Sequence, residues 1–331
     1  MRCSAVGCSM MFTLSLLAAP LLAVAQPAGQ MRHIGLLRAG VTSGVASMDF
    51  ERNFAAFRQG LRDLGWVEGQ NLTIEYRATE GHTERLPALA AELVGLPVEV
   101  IVTMGLATRA VQNATSTIPI VMGGDPHPVE AGFIASLARP GGNITGIFVH
   151  PLELAAKRIE LVRESLPQAR HLGLIWDASS RDQVEAAAVA AKSLNFEARR
   201  IEVTGQPPDY AAAFGQMADV PGEPIVIPSG PIFLRDRAAI GRLLLERRIP
   251  SICAFREIVE AGAVMSYGVD LVGLFRDAAD VVDQIAKGAK PAELPILQSS
   301  RFHLAINLKS ATALGISLPV AFTARADEVI E

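Results

Sequence analysis

Two periodicities alternate along the chain. Short apolar runs of strand character are separated by segments whose apolar residues recur every three or four positions. That alternation predicts a parallel sheet with crossover helices. His33 to Leu37 reads as the first strand. Phe50, Phe54, Phe57, Leu61 and Leu64 then fall on one helical face, and Gly65 is placed to cap the end of that helix. Leu72 to Arg77 alternates strictly, a helix is expected around Leu86 to Leu93, and Val98 to Thr103 is the third strand. A short helix from Thr108, a strand at Ile118 to Met122, a helix around Phe133 to Leu137 and a strand at Asn143 to Val149 complete one unit.

The second half repeats the order. Strands are expected at His171 to Trp176, Glu197 to Val203, Ile225 to Ile227, Ser251 to Phe255 and Val264 to Tyr267. Helices are expected at Asp182 to Leu194, Tyr210 to Met217, Arg235 to Arg247 and Glu257 to Ala261. The fourth strand of each half opens with the same pair (Ile118-Pro119, Ile249-Pro250), and the fifth follows a glycine in both (Gly142, Gly262). The economical reading is an α/β protein of two similar five-stranded lobes, each a parallel sheet flanked by helices. The chain passes over at His150-Pro151 through a helix at Leu154 to Leu166. A long helix from Leu271 to Lys287, a Gly288, Pro291 and Pro295 stretch, and a strand at Phe302 to Leu308 follow. Residues 32–150 with about 271–297 are assigned to one lobe, and 151–270 with about 298–325 to the other. Several crossings make a hinged clamshell.

Ahead of this lies an export leader. Arg2 supplies a positive start, Met10 to Val24 is uncharged and apolar, and Ala23-Val24-Ala25 is a small-x-small cleavage pattern. The expectation is a periplasmic protein cut after Ala25, with no stable membrane insertion, since the run is shorter than the about 20 apolar residues of a span. Half of the residues are hydrophobic, enough for two cores. Loss of Arg2 moves the formal charge from −4 to −5, which argues against nucleic acid or an anionic membrane as partner. Cys3 and Cys8 leave with the leader, so Cys253 stands alone as a buried, inert thiol.

Catalytic and cofactor motifs are missing. There is no G-x-G-x-x-G, P-loop, nucleophile elbow or paired-histidine metal motif, so no cofactor and no metal is expected. His127 beside Asp125 is the one acid–histidine pair worth weighing, and no Ser or Cys nucleophile lies near it in sequence. Ligands of open α/β sheets bind at the loops after the strands. Those loops carry Arg38, Ala39 and Gly40; Met104, Gly105 and Thr108; Gly124 and Asp125; Asp177 and Ser179; Ser229 and Gly230; Arg256 and Glu257; and Tyr267 and Asp270. Glycines and serines ahead of helices expose N–H groups to a carboxylate. Acids can pair with an ammonium, and an aromatic can cover an apolar side chain. The same Asp and Ser residues also suit plain helix capping.

Several longer motifs resemble one family. They are Phe57-Arg58-Gln59-Gly60-Leu61, Gly65 to Asn71, Arg85 to Ala90, Arg139 to Gly146, Phe255-Arg256-Glu257, Met265-Ser266-Tyr267-Gly268, Ile306 to Lys309 and Ala324 to Ile330. In this order they resemble bacterial ABC transporter substrate-binding proteins, some of which look like tryptophan or aromatic amino acid carriers. The resemblance implies a type I periplasmic-binding fold, a monomer that binds a small solute between its lobes, and a membrane permease with its ATPase as partners. Arg38 departs from the small residues frequent in the family's first loop and points to an anionic group on the ligand if it faces the cleft. An exported hydrolase or isomerase using Asp125, His127 or Glu257 is the alternative from another class, and a ligand-sensing partner of a membrane receptor is a third.

Overall fold

The computed structural model describes the backbone of residues 31–40 and 45–331, and the side chains of 31–40 and 50–331. The expected leader and its cleavage site, and the loop at 41–44, lie outside the described residues.

The first sheet is built from β1 (Arg32–Arg38), β2 (Leu72–Ala78), β3 (Val100–Met104), β4 (Ile120–Asp125) and β5 (Ile144–Phe148). Helices α1 (Val45–Asp63), α2 (Leu86–Val94) and α3 (Ala107–Ala114) connect the early strands. The chain crosses over at Val149–His150 into α4 (Pro151–Ser165). It then runs through β6 (His171–Trp176), α5 (Arg181–Ser193), β7 (Glu197–Glu202), α6 (Tyr210–Gly215), β8 (Ile225–Ile227), α7 (Pro231–Arg235), α8 (Arg237–Glu246), β9 (Ser251–Cys253), α9 (Arg256–Glu260) and β10 (Met265–Val269). Helix α10 (Leu271–Ala286) and β11 (Leu297–Gln298) return to the first sheet. The chain ends with β12 (Phe302–Asn307), α11 (Leu308–Leu314), α12 (Val320–Thr323) and β13 (Glu328–Ile330) in the second.

The first sheet has the order β11-β5-β4-β3-β1-β2 with every pair parallel. The second has the order β13-β12-β10-β9-β8-β6-β7, and one pair in it, β10 with β12, is antiparallel. The parallel plan therefore holds except where the chain comes back across the hinge and enters the sheet from the opposite end.

Helix α1 shows how pattern becomes packing. Phe50, Phe54, Phe57 and Leu61 are buried along one stripe, each contributing roughly 1.5–3 kcal/mol of burial. They meet Leu274, Phe275, Ala278 and Val282 of α10 over the first sheet. Gly60 makes the close approach possible, because a Cβ there would stand 2.9 Å from the Ala279 Cβ. Trp66 Nε1 donates to Asp283 Oδ1 at 2.9 Å and ties the far ends together. On the other face of that sheet, Leu86, Leu89 and Leu93 of α2 pack with Ala107 and Val111 of α3. In the second lobe α4 and α5 cover one face of the sheet, while α6, α8 and α9 cover the other. Cys253 is buried there, and burial pushes its thiol far above the ordinary range.

Three expectations need correction. Phe133 to Leu137 is not a helix: Gly132 takes φ +68°, and Phe133 N–H and Ala135 N–H donate to the carbonyls of Pro128 and Pro140. Prolines at both ends fold that stretch into turns, and Ile134 is buried as an anchor. The helix expected from Arg235 to Arg247 is two helices broken at Asp236, the first starting at Pro231. The lobes hold six and seven strands rather than five: β11 and β13 are too short to show a period, and β12, expected as a strand, joins the second sheet as a further member.

Candidate functional site

The carboxyl ends of both sheets point toward one interlobe cleft, and contacts across it bring the lobes together. His127 Nε2, after β4, lies 2.8 Å from Asp182 Oδ2 in the first turn of α5. Arg52 of α1 reaches Glu257 of α9 at 3.0 Å and Glu260 at 3.9 Å. Glu257 is 3% exposed, so this carboxylate sits inside the joint.

Most loop residues singled out from sequence are engaged within their own lobe. Arg38 is buried, with its guanidinium carbon 3.8 Å from the Phe50 ring centroid and its Nε donating to the Tyr76 hydroxyl at 2.6 Å. It holds α1 to β2. Ala39 packs beside the α2 cluster, and Gly40 N–H donates to Thr79 Oγ1 at 3.0 Å. Thr108 shares a 2.9 Å hydroxyl contact with Thr103 and is buried, while Gly105 turns the chain at φ +58°. Met104 lies against Gly123.

Asp125 Oδ1 accepts from the His127 backbone N–H at 2.9 Å, an Asx turn that leaves the two side chains separate. Burial pushes the Asp125 carboxyl above its ordinary range, with that N–H opposing. Gly124 takes φ +76° beside Leu274. In the facing lobe Asp177 takes up the capping role: its oxygens accept from Ser179 Oγ at 3.0 and 2.9 Å and from Ser180 Oγ at 2.6 Å. Asp177 Oδ1 also lies beside Gly230. Ser229 is clamped by Gln183, whose Oε1 accepts from the serine N–H and Oγ and whose Nε2 donates to its carbonyl.

Arg256, Glu257 and Asp270 are brought together with Arg52 around a cavity of about 190 Å³ on the hinge side of the cleft. Arg256 is spoken for: Nε and Nη2 donate to Glu328 at 2.7 and 2.5 Å, and Nη1 lies 2.9 Å from Glu260. Tyr267 stands apart. Strand alternation turns Ser266 and Gly268 toward the cavity, whereas Tyr267 packs in the opposite apolar cluster near Phe302. Asn53, Ser266, His303 and Glu328 also line the cavity and were not among the sequence candidates. They lie within helices and strands rather than in loops, so only the alternation along β10 carried a signal. A second cavity, of about 210 Å³, opens at the opposite end of the first sheet, between His33, Trp66 and Pro291.

Residues 40–330 match the family model described as ABC transporter substrate binding protein. The chain belongs to that family. A substrate-binding component of an ABC importer holds its solute without converting it, so this protein is not an enzyme. The chain is 25% identical over 281 residues to a tyrosine-binding protein of Clostridioides difficile (strain R20291), covering 83% of this chain and 80% of that one. It resembles the structure of an ABC domain from Streptococcus pneumonia in complex with L-Trp, at TM-score 0.79 and 24% identity, over 91% of this chain and all of that one. A ligand-free, open substrate binding protein with adhesive properties from Clostridium difficile matches at TM-score 0.73 and 20% identity, over 91% and 99% of the two chains. The fold is the type I periplasmic-binding architecture.

Proposed function

We propose that this substrate-binding protein captures an amino acid in the interlobe cleft of the periplasm and presents it, as a monomer, to an ABC permease and its ATPase. The observation that carries this reading is the joint itself: Arg52–Glu257 and His127–Asp182 both span the lobes, and the first pair lines a cavity that also holds unsatisfied buried hydrogen-bonding atoms. A zwitterion with an apolar side chain suits a lining that mixes acids, the Ser266 hydroxyl and Phe255. The tyrosine bound by the Clostridioides relative supports the class of ligand. The leader pattern from Arg2 to Ala25 supports export.

Ligand contact with both lobes favours the closed state by its differential affinity, so binding and closure are one equilibrium. The test is native mass spectrometry of the mature protein, followed by a thermal-shift screen of the twenty amino acids and small carboxylates. A ligand at 100 times its Kd stabilises by about 2.7 kcal/mol. That should raise Tm by roughly 5 °C for a chain of this size. No shift with any amino acid, or turnover of a solute, overturns the reading.

A further inference from the structure

The hinge-side cavity holds more hydrogen-bond acceptors than the protein satisfies. We propose that it seats the primary ammonium group of the ligand, with Asp270 as counter-ion and Asn53 and Ser266 as its other acceptors. This rests on the amino acid reading and names the part of the ligand that enters here.

Three independent observations converge. Asn53 is 5% and Ser266 1% exposed, and Asn53 Oδ1 and Ser266 Oγ have no hydrogen-bond partner. Both residues line the cavity, one from α1 in the first lobe and one from β10 in the second. Buried polar atoms are almost always paired, so these two acceptors, beside the unpartnered Arg256 Nη1 and His303 Nδ1 of the same lining, mark a missing partner. Next, the other acids of the cleft are already engaged. Glu257 pairs with Arg52 and Glu328 with Arg256, Asp177 accepts from Ser179 and Ser180, and Asp125 accepts from the His127 N–H. Asp270 begins α10 without a side-chain capping bond, its Oδ2 lies over Gly273, and it pairs with no cation among the described residues. Finally, both arginines of the lining face carboxylates: Arg52 meets Glu257, Arg256 donates to Glu328 through Nε and Nη2, and its Nη1, which makes no hydrogen bond, lies 2.9 Å from Glu260. A ligand anion would have to share these cations with the carboxylates already beside them.

An ammonium group brings three donors and a single charge to this set, matching one carboxylate and two neutral acceptors. Phe255 adds an aromatic wall to the same cavity, and such a face attracts a cation. Because Asn53 and Ser266 belong to different lobes, the group is satisfied only when the lobes are closed. The ligand carboxylate is then left to the loop N–H groups farther along the cleft.

The experiment is isothermal titration of the mature protein, and of Asp270→Asn and Ser266→Ala, with six probes. These are L-tyrosine, L-tryptophan, the amines tyramine and tryptamine, and the two corresponding deaminated propionic acids. The apo Tm of each variant controls for folding, and Ser266→Ala removes an unpartnered hydroxyl and leaves the fold intact. D270N should weaken amino acids and amines by about 10- to 100-fold, the range for losing one partner of a charge-assisted bond, and leave the deaminated acids unchanged. S266A should weaken the same probes by about threefold, the scale of one neutral hydrogen bond. Amino acid binding that D270N leaves intact overturns the ammonium site and spares the proposed function. Amine binding that depends on Asp270, without amino acid binding, does the reverse. Binding of neither class overturns both.

Discussion

The His127 imidazole nitrogen Nε2 lies 2.8 Å from the Asp182 carboxylate across the cleft, although Asp125 is its nearer acid in sequence. The loop after β4 thus uses one acid to shape its own turn and a second, from the other lobe, to meet its histidine. The pair is partly exposed, so it is worth about 0.2–1 kcal/mol. Asp182→Asn should therefore raise ligand Kd by at most about fivefold, through a faster off-rate with on-rate unchanged. Stopped-flow kinetics check this; an on-rate effect alone would show that the pair guides encounter instead of holding closure.

Two carboxyls should respond to pH with opposite signs. Burial raises the Asp125 carboxyl above its ordinary 3.8. The folded state then favours the protonated form, and stability falls as pH rises from 3.8 through the folded value. Asp125→Asn should be more stable than the parent at pH 7 and equal to it at pH 3. Arg256 holds the Glu328 carboxyl below its ordinary 4.5. Its contribution is present above 4.5 and lost as pH falls through the folded value, so Glu328→Gln should be less stable at pH 7 and converge with the parent in acid. Urea unfolding at both pH values measures each; the same sign for both variants would refute the assignment.

Arg158 is 1% exposed and gives a single hydrogen bond, Nη1 to the Tyr267 carbonyl at 3.0 Å, with Nε and Nη2 unpartnered. Burial pushes its pKa down to about 10. Replacing buried charge with an apolar side chain of similar volume is often neutral or stabilising, by about 1–4 kcal/mol. Arg158→Met should accordingly leave the midpoint of urea unfolding unchanged or higher. A clear loss of stability would mean that ordered water or an ion satisfies those nitrogens.

Gly268 closes β10 against its neighbour: a Cβ there would stand 1.9 Å from the Ala254 carbonyl oxygen. Gly268→Ala must move backbone at the edge of the hinge-side cavity, at a cost of about 1–3 kcal/mol or more. Tm should drop by several degrees and ligand affinity should fall with it. A variant that melts normally would indicate that the two strands part without penalty.

Much of the architecture was legible because burial imposes period. The phenylalanine stripe of α1 and the alternation in β2, which sends Ile74 and Tyr76 to the same cluster, follow from which side of a layer is dry. The misread stretch at Phe133 to Leu137 had apolar residues but no helix, since Pro128, Gly132 and Pro140 govern its backbone. The site was less legible for a different reason. Loop residues such as Asp177 and Arg38 have the right chemistry, but their nearest partners are local. Asn53 and Ser266 look like interior residues of a helix and a strand until the two lobes are placed together. Their lack of partners is a property of three-dimensional placement and leaves no mark on the chain.

The return of α10 to α1 has a consequence for how the chain is made. The apolar stripe of Phe50, Phe54 and Phe57 is covered by residues more than two hundred positions later. The edge strand β11 of the first sheet comes later still. A nascent chain that has emerged only as far as β10 carries a first lobe with an open face and nothing to seal it. The first lobe is thereby closed only by segments that lie close to the end of the polypeptide.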